Sequence, residues 1–223
     1  MSEKLELKRK CLSTIATNNS ELTNAGQKRI YGRKQFTTHR HNQWFVVDMI
    51  DHKGLHYIAT YTLVYGTGPQ PGFIQLTDLK MQQKPYLIYY TAHAMNRYVE
   101  RSLEVTHQPR IGNTLFEHFI MYNELTLYIE KESKNPMDTG TDFFSVSYDG
   151  IGVVSIEQTE RLATMITFLG KDDLTIKKHH IQEKGLKMAM AHFDLILNQQ
   201  AGRKTSIELV NQLMTHYGLD DDF

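Results

Sequence analysis

The sequence predicts an α+β fold: an antiparallel β-sheet with helices packed on one side, carrying helical N- and C-terminal additions. Strand-like runs lie before and after a central pair of helical segments, three of them follow one another closely near residues 142–169, and the pattern beyond Gly170 is helical to the end. With 223 residues and 40% hydrophobic content, the chain can bury a sizeable core. No Pro/Ser-rich stretch divides it, so we read residues 1–223 as one domain: a helical N-terminal addition over 1–35, an α+β core over 36–170 and C-terminal helices over 171–223.

The elements follow in order. Residues 3–17 suit a helix behind a Ser2 cap, with Leu5, Leu12, Ile15 and Ala16 facing one way. The polar stretch 18–42 surrounds Ala25-Gly-Gln-Lys-Arg-Ile-Tyr-Gly-Arg-Lys34, read as a short helix and a basic loop. Residues 44–51 and 55–65 are rich in β formers and flank Asp51-His-Lys-Gly54, which predicts a hairpin. Gly66-Thr-Gly-Pro-Gln-Pro-Gly72 is a connection, and 86–90 is a strand leading into a helix capped by Thr91. Thr114-Leu-Phe-Glu117 has capping-box spacing, so a second helix is expected to start there. Leu125, Leu127 and Ile129 alternate with polar neighbours as a strand does. Strands over 142–148, 152–158 and 161–169, turning at Asp149-Gly150, form a meander. The closing helical region is expected to break at Gly185 and at Ala201-Gly202, with a box at Thr205-Ser-Ile-Glu208 and a stop at Gly218.

The most informative stretch is 91–101. At helical spacing it sets His93, Arg97 and Arg101 on one face and Met95, Tyr98, Val99 and Leu103 on the other, so the apolar side packs on a core. An imidazole and two guanidiniums are the groups a metal-independent ribonuclease needs: an acid or base titrating near neutrality, and planar donor forks for a phosphate. Glu100 and Glu104 flank the face and offer the arginines internal partners, which is the competing structural explanation. Tyr148, Glu157 and Thr167 on the meander are candidate partners for His93.

The run Thr91-x-His-Ala-x-x-Arg-x-x-x-Arg, followed by a helix and a meander closing on Ala163-Thr-Met-Ile-Thr-Phe-Leu169, resembles small bacterial domains with a Ser/Thr-x-His-Ala-x-x-Arg-x-x-x-Arg helix. Those domains are similar to ribonuclease toxins of the RelE and BrnT type. The resemblance covers residues 86–169 and departs from the family at Ser102-Leu103, where a glycine and an isoleucine are usual. It implies an RNA-binding or metal-independent endoribonuclease-like protein with His93, Arg97 and Arg101 as catalytic residues. The rival reading is a non-catalytic interaction protein of a phage or mobile element, acting through a protein partner or a homo-oligomer contact that includes the C-terminal helices.

Charge adds a second candidate. The total is neutral, yet residues 1–41 hold nine lysines and arginines against three glutamates, a surplus of six. Arg29, Arg33 and Lys34, around Tyr31, are therefore candidate nucleic-acid-binding residues. Other chemistries find less support. Cys11 is the single cysteine, which excludes an intramolecular disulfide framework and suits a reducing, cytoplasmic setting. His39, His41, Asp48, Asp51, His52 and His56 fit no known ligand spacing, and His107, His118, His179, His180 and His192 are no better placed, so no metal is expected. The 66–72 loop lacks the Gly-Lys-Ser/Thr ending of a phosphate loop, no cofactor is expected, and no apolar run is long enough for a membrane.

Overall fold

Among the described residues nine strands share one sheet, in the order β1-β2-β3-β4-β5-β9-β8-β7-β6. The computed structural model describes residues 29–50, 56–67, 70–76, 87–103, 112–123, 127–130, 142–157, 162–203 and 205–219. The strands are β1 (Arg29–Thr37), β2 (Gln43–Ile50), β3 (His56–Val64), β4 (Gly72–Leu76), β5 (Leu87–Tyr90), β6 (Leu127–Glu130), β7 (Asp142–Ser147), β8 (Gly150–Glu157) and β9 (Leu162–Gly170). The helices among the described residues are α1 (Ala92–Ser102), α2 (Gly112–Tyr122), α3 (Ile176–Gln200) and α4 (Ile207–His216). The class is α+β.

Two antiparallel runs, β1 to β5 and β6 to β9, meet where β5 pairs with β9 in parallel, Ile88 beside Ala163 and Tyr90 beside Met165. The sheet is therefore mixed rather than antiparallel. A parallel neighbour requires a long crossover, and α1 and α2 lie in that crossover. Turn chemistry between consecutive runs shows hairpins, but it carries no signal for two strands 75 residues apart in register.

Alternation along the strands explains how the helices are placed. Phe45, Val47, Tyr61, Phe73, Tyr90, Val154 and Met165 belong to the core cluster shared with α1 and α2. Phe144, Val146 and Ile151 belong to a second cluster with Leu174, Ile181 and Leu186. Phe143 and Phe144 are sequence neighbours, so they point to opposite faces, and they pack into different clusters. Helices thus cover both faces of the sheet, a correction to the expectation of one side: α1 and α2 over one, α3 over the other at the β6–β8 end.

Phe116 sits at the centre of the first cluster, with ring centroids 4.5 Å from Phe73, 4.7 Å from Tyr61 and 5.3 Å from Tyr90. Such aromatic pairs add about 0.5–1.5 kcal/mol each beyond their burial. α2 begins at Gly112, two residues before Thr114, so Thr114 and Glu117 lie inside the helix and form no capping box. Glu117 is buried among the apolar residues of the cluster instead.

Other expectations shift in detail. Residues 29–35, read as part of a helical addition and basic loop, lie in β1, because Phe36 to Ile30 pair along β2 with one irregularity between Ile30 and Gly32. The helix over 3–17 lies outside the described residues. β4 starts at Gly72, where the reading from sequence had a loop and no strand beyond it. A Cβ on Gly72 would stand 2.9 Å from the Tyr89 ring and from the Tyr90 carbonyl oxygen, so the close approach to β5 requires glycine. α3 runs unbroken through Gly185, which is buried. An interior glycine costs about 1 kcal/mol in helix propensity, and the packing of Ile181, Gln182 and Leu186 on the sheet outweighs it. The cap of α4 is Ser206, one residue beyond Thr205: its hydroxyl accepts from the Leu209 amide at 3.2 Å. The helix ends as predicted at Gly218 (φ 64°), with the Leu219 amide donating to the Met214 carbonyl and the Gly218 amide to that of Thr215.

The Tyr217 hydroxyl ties α4 to α3 by donating to Asp194 at 2.5 Å. Burial first, then the hydrogen bond and the charge of Asp194, push the Tyr217 phenol up to about 12. Because the folded value lies above the unfolded one, which is about 10, the contribution of this group is complete below pH 10 and is lost as pH rises toward 12. Denaturant unfolding between these pH values should show wild type losing more stability than Tyr217→Phe. Parallel losses in the two proteins would remove Tyr217 as the cause.

Candidate functional site

α1 begins where β5 ends, and its start is fixed to β9. The Thr91 hydroxyl accepts from the Ala94 amide at 3.1 Å and lies 3.0 Å from the Met165 carbonyl oxygen, to which the Thr91 amide also donates. From this anchor Ala94, Met95 and Tyr98 are buried against the sheet. The turn that remains outward carries His93, Arg97 and Arg101.

Each of the three has a partner inside the protein. His93 is exposed, and its Nε2 lies 3.4 Å from the Thr167 hydroxyl, a long contact. Arg97 donates from Nη1 to Glu100 at 2.7 Å, one helical turn away on a surface where both side chains are about half exposed. Arg101 donates from Nη1 to the Phe168 carbonyl at 2.9 Å, and its Nε meets Asp173 at 3.0 Å. This side chain is 22% exposed, and Gly170 permits the approach, since a Cβ there would stand 2.8 Å from that of Arg101. Arg101 therefore fastens the end of α1 to the end of β9 and to the turn before α3. Glu104 lies outside the described residues. Of the candidate partners for His93, Thr167 is the one in contact, while Tyr148 lies under the Lys171 ammonium, 3.6 Å from its ring centroid.

The basic segment is divided by strand geometry. Arg33 stands opposite Val47 and Lys34 opposite Val46, so the two leave β1 on different faces. Arg33 turns to the core side and donates from Nε to Glu117 at 2.6 Å and from Nη2 to the other carboxylate oxygen. The Tyr61 hydroxyl donates to the same carboxylate at 2.8 Å. Burial first, then the charge of Glu117, pushes the Tyr61 phenol up, and the hydrogen bond to Glu117 holds the Arg33 guanidinium protonated more firmly than usual. Lys34 is exposed; the Arg29 side chain lies outside the described residues. His39 and His41 lie in the exposed turn after β1, and no group of three or more His, Cys, Asp or Glu among the described residues is arranged to hold a metal ion.

A second polar network was not singled out from the sequence. Tyr98, fully buried, donates its hydroxyl proton to Asp149 at 2.7 Å, and its oxygen lies 3.1 Å from Nδ1 of His118. Asn123 donates to the same Asp149 oxygen at 3.2 Å, and the Asp149 amide lies 3.4 Å from the Asn123 side-chain oxygen. The His118 ring stacks on Tyr122 with centroids 4.3 Å apart. The network joins α1, α2 and the β7–β8 turn. The available signal was a hydroxyl on the apolar stripe of α1, since a buried tyrosine hydroxyl needs a partner.

Compared with models of known protein families, with curated proteins and with solved structures, the chain matches none.

Urea unfolding should rank the arginines by their attachments. Arg33→Ala strips a buried carboxylate of its counter-ion and is expected to cost about 3 kcal/mol, with partial recovery when Glu117→Gln is added. Arg101→Ala should cost about 1–2 kcal/mol through a lost hydrogen bond and ion pair, and Arg97→Ala less than about 0.5 kcal/mol. Equal losses at positions 97 and 101 would contradict the fastening role of Arg101.

Proposed function

We propose that the chain is an interaction protein working through its C-terminal helical pair, rather than a ribonuclease working through the outer face of α1. The observation that supports this is the incomplete burial of α3 and α4. No residue of α4 is buried; Ile207 is 74% exposed, and Met190 on α3 is 39% exposed. Leu209, Val210, Leu213 and Met214 are only partly buried. Exposed apolar residues on a helix pair are what a protein contact would bury. The contact we favour is with a second copy of this chain, because two such pairs bury one another's exposed apolar residues without any further element.

The pairing of Arg97 with Glu100 and of Arg101 with Asp173 and a backbone carbonyl weighs in the same direction. A phosphate reaching this face would first have to displace carboxylates. The ribonuclease reading keeps one favourable observation, the exposure of His93 beside a hydroxyl.

Sedimentation at increasing concentration tests the proposal. Wild type should self-associate, while Ile207→Glu combined with Met190→Glu, both at exposed positions, should be monomeric with an unchanged circular dichroism spectrum. A monomeric wild type would overturn the reading. Incubation of the same preparations with a broad RNA pool and chelator separates the rival: cleavage that disappears in His93→Ala would return the function to α1.

A further inference from the structure

The arrangement around His118 fixes which of its nitrogens carries a proton. Tyr98 has one hydroxyl proton, and it goes to Asp149, since an ionised carboxylate only accepts. The Tyr98 oxygen is then an acceptor toward Nδ1 of His118, 3.1 Å away, so Nδ1 is the protonated nitrogen of the ring. Nε2 is left with the lone pair when the ring is neutral, and it has no hydrogen-bond partner among the described residues. His118 is a partly exposed residue beside a core in which Tyr98 is completely buried.

We propose that His118 is a proton-transfer site whose Nε2 takes a proton from the O–H group of a hydroxyl-bearing ligand or a water, with Tyr98 and Asp149 as positioning residues. In that step the O–H bond breaks and its electron pair stays on oxygen. An N–H bond forms at Nε2, and the ring becomes an imidazolium that still donates from Nδ1 to Tyr98. The positive charge is met by the Asp149 carboxylate on the far side of the Tyr98 hydroxyl, the logic of a base oriented by a third group with a phenol interposed. Asn123 holds that carboxylate by donating to the same oxygen, and Tyr122 covers one face of the imidazole. Among the described residues, the titratable groups in contact with His118 are Tyr98 from α1 and Tyr122 from α2 itself, with Asp149 of the β7–β8 turn behind the Tyr98 hydroxyl.

A surface histidine with a casual contact would not be built this way. The atom that orients the ring is fully buried, and it is itself oriented by a carboxylate with a second donor. The site shares no residue with the outer face of α1 or with the exposed apolar positions Met190 and Ile207 of the C-terminal helices, so it stands whether or not the chain self-associates.

Long-range proton–nitrogen NMR of histidine-labelled protein reads the tautomer directly. Above its midpoint, His118 should be the Nδ1–H form. Tyr98→Phe, which keeps the ring and its packing, should convert it toward the Nε2–H form. Asp149→Asn should keep the tautomer and lower the midpoint by roughly one pH unit, because a facing negative charge is removed. Carbethoxylation by diethyl pyrocarbonate, followed by peptide mass spectrometry, should be faster at His118 than at the other histidines, rise with pH through the NMR midpoint, and slow several-fold in Tyr98→Phe. An Nε2–H tautomer in wild type overturns the proposal, as does a reaction rate at His118 that neither substitution changes. If Tyr98→Phe does not fold, an unchanged midpoint in Asp149→Asn is sufficient to overturn it.

Discussion

The parallel pairing of β5 with β9 is the constraint from which the rest of the architecture follows. It joins two separately antiparallel runs into one sheet, and it obliges the chain between them to cross a face rather than turn back. The crossover supplies α1 and α2, whose aromatic residues fill the space above β2 to β5 and β8 to β9. Both the start and the end of α1 are then fastened to β9, through Thr91 at Met165 and Arg101 at Phe168. The helix is held in position at two places, which makes its outward face a consequence of where its ends attach.

Charge is distributed by the same logic. Several polar groups near the core are gathered on shared acceptors: Arg33 and Tyr61 on Glu117, Tyr98 and Asn123 on Asp149, Gln182 on the Ser147 carbonyl at 2.9 Å. An ion or amide buried alone costs several kcal/mol in desolvation; grouped, these residues lock elements distant in sequence. Arg33 and Arg101, which a count of cations would assign to an anionic ligand, each turn two guanidinium nitrogens to the protein itself. Among the described residues no helix is long and apolar enough to cross a membrane.

The local elements were legible because their signals are local. Thr91 caps α1, Asp149 and Gly150 turn β7 into β8, Gly218 stops α4, and the apolar stripe of α1 packs inward, all from residues within a few positions of one another. Partnership across the sheet was not legible. Glu117 reads as a capping residue on spacing alone, and only Arg33, 84 residues away, shows it to be a buried counter-ion. His118 looks like one histidine among eleven until Tyr98, itself held by Asp149, meets it from another element. The alternation that parts Arg33 from Lys34 depends on recognising 29–37 as a strand, and its basic residues gave it the look of a loop.

The Arg33–Glu117 contact also acts on strand register. β1 is the end strand of the sheet among the described residues, and an end strand has a neighbour on one side only to fix its alignment. A slip of one residue would turn Arg33 to the opposite face and leave a buried carboxylate under Gly32 or Lys34 without its bidentate partner. The irregularity between Ile30 and Gly32 sits immediately before that point and can absorb a length mismatch without moving Arg33. Glu117 thus bears on the alignment of a strand in which it takes no part: a mispaired version of this edge would carry an uncompensated charge.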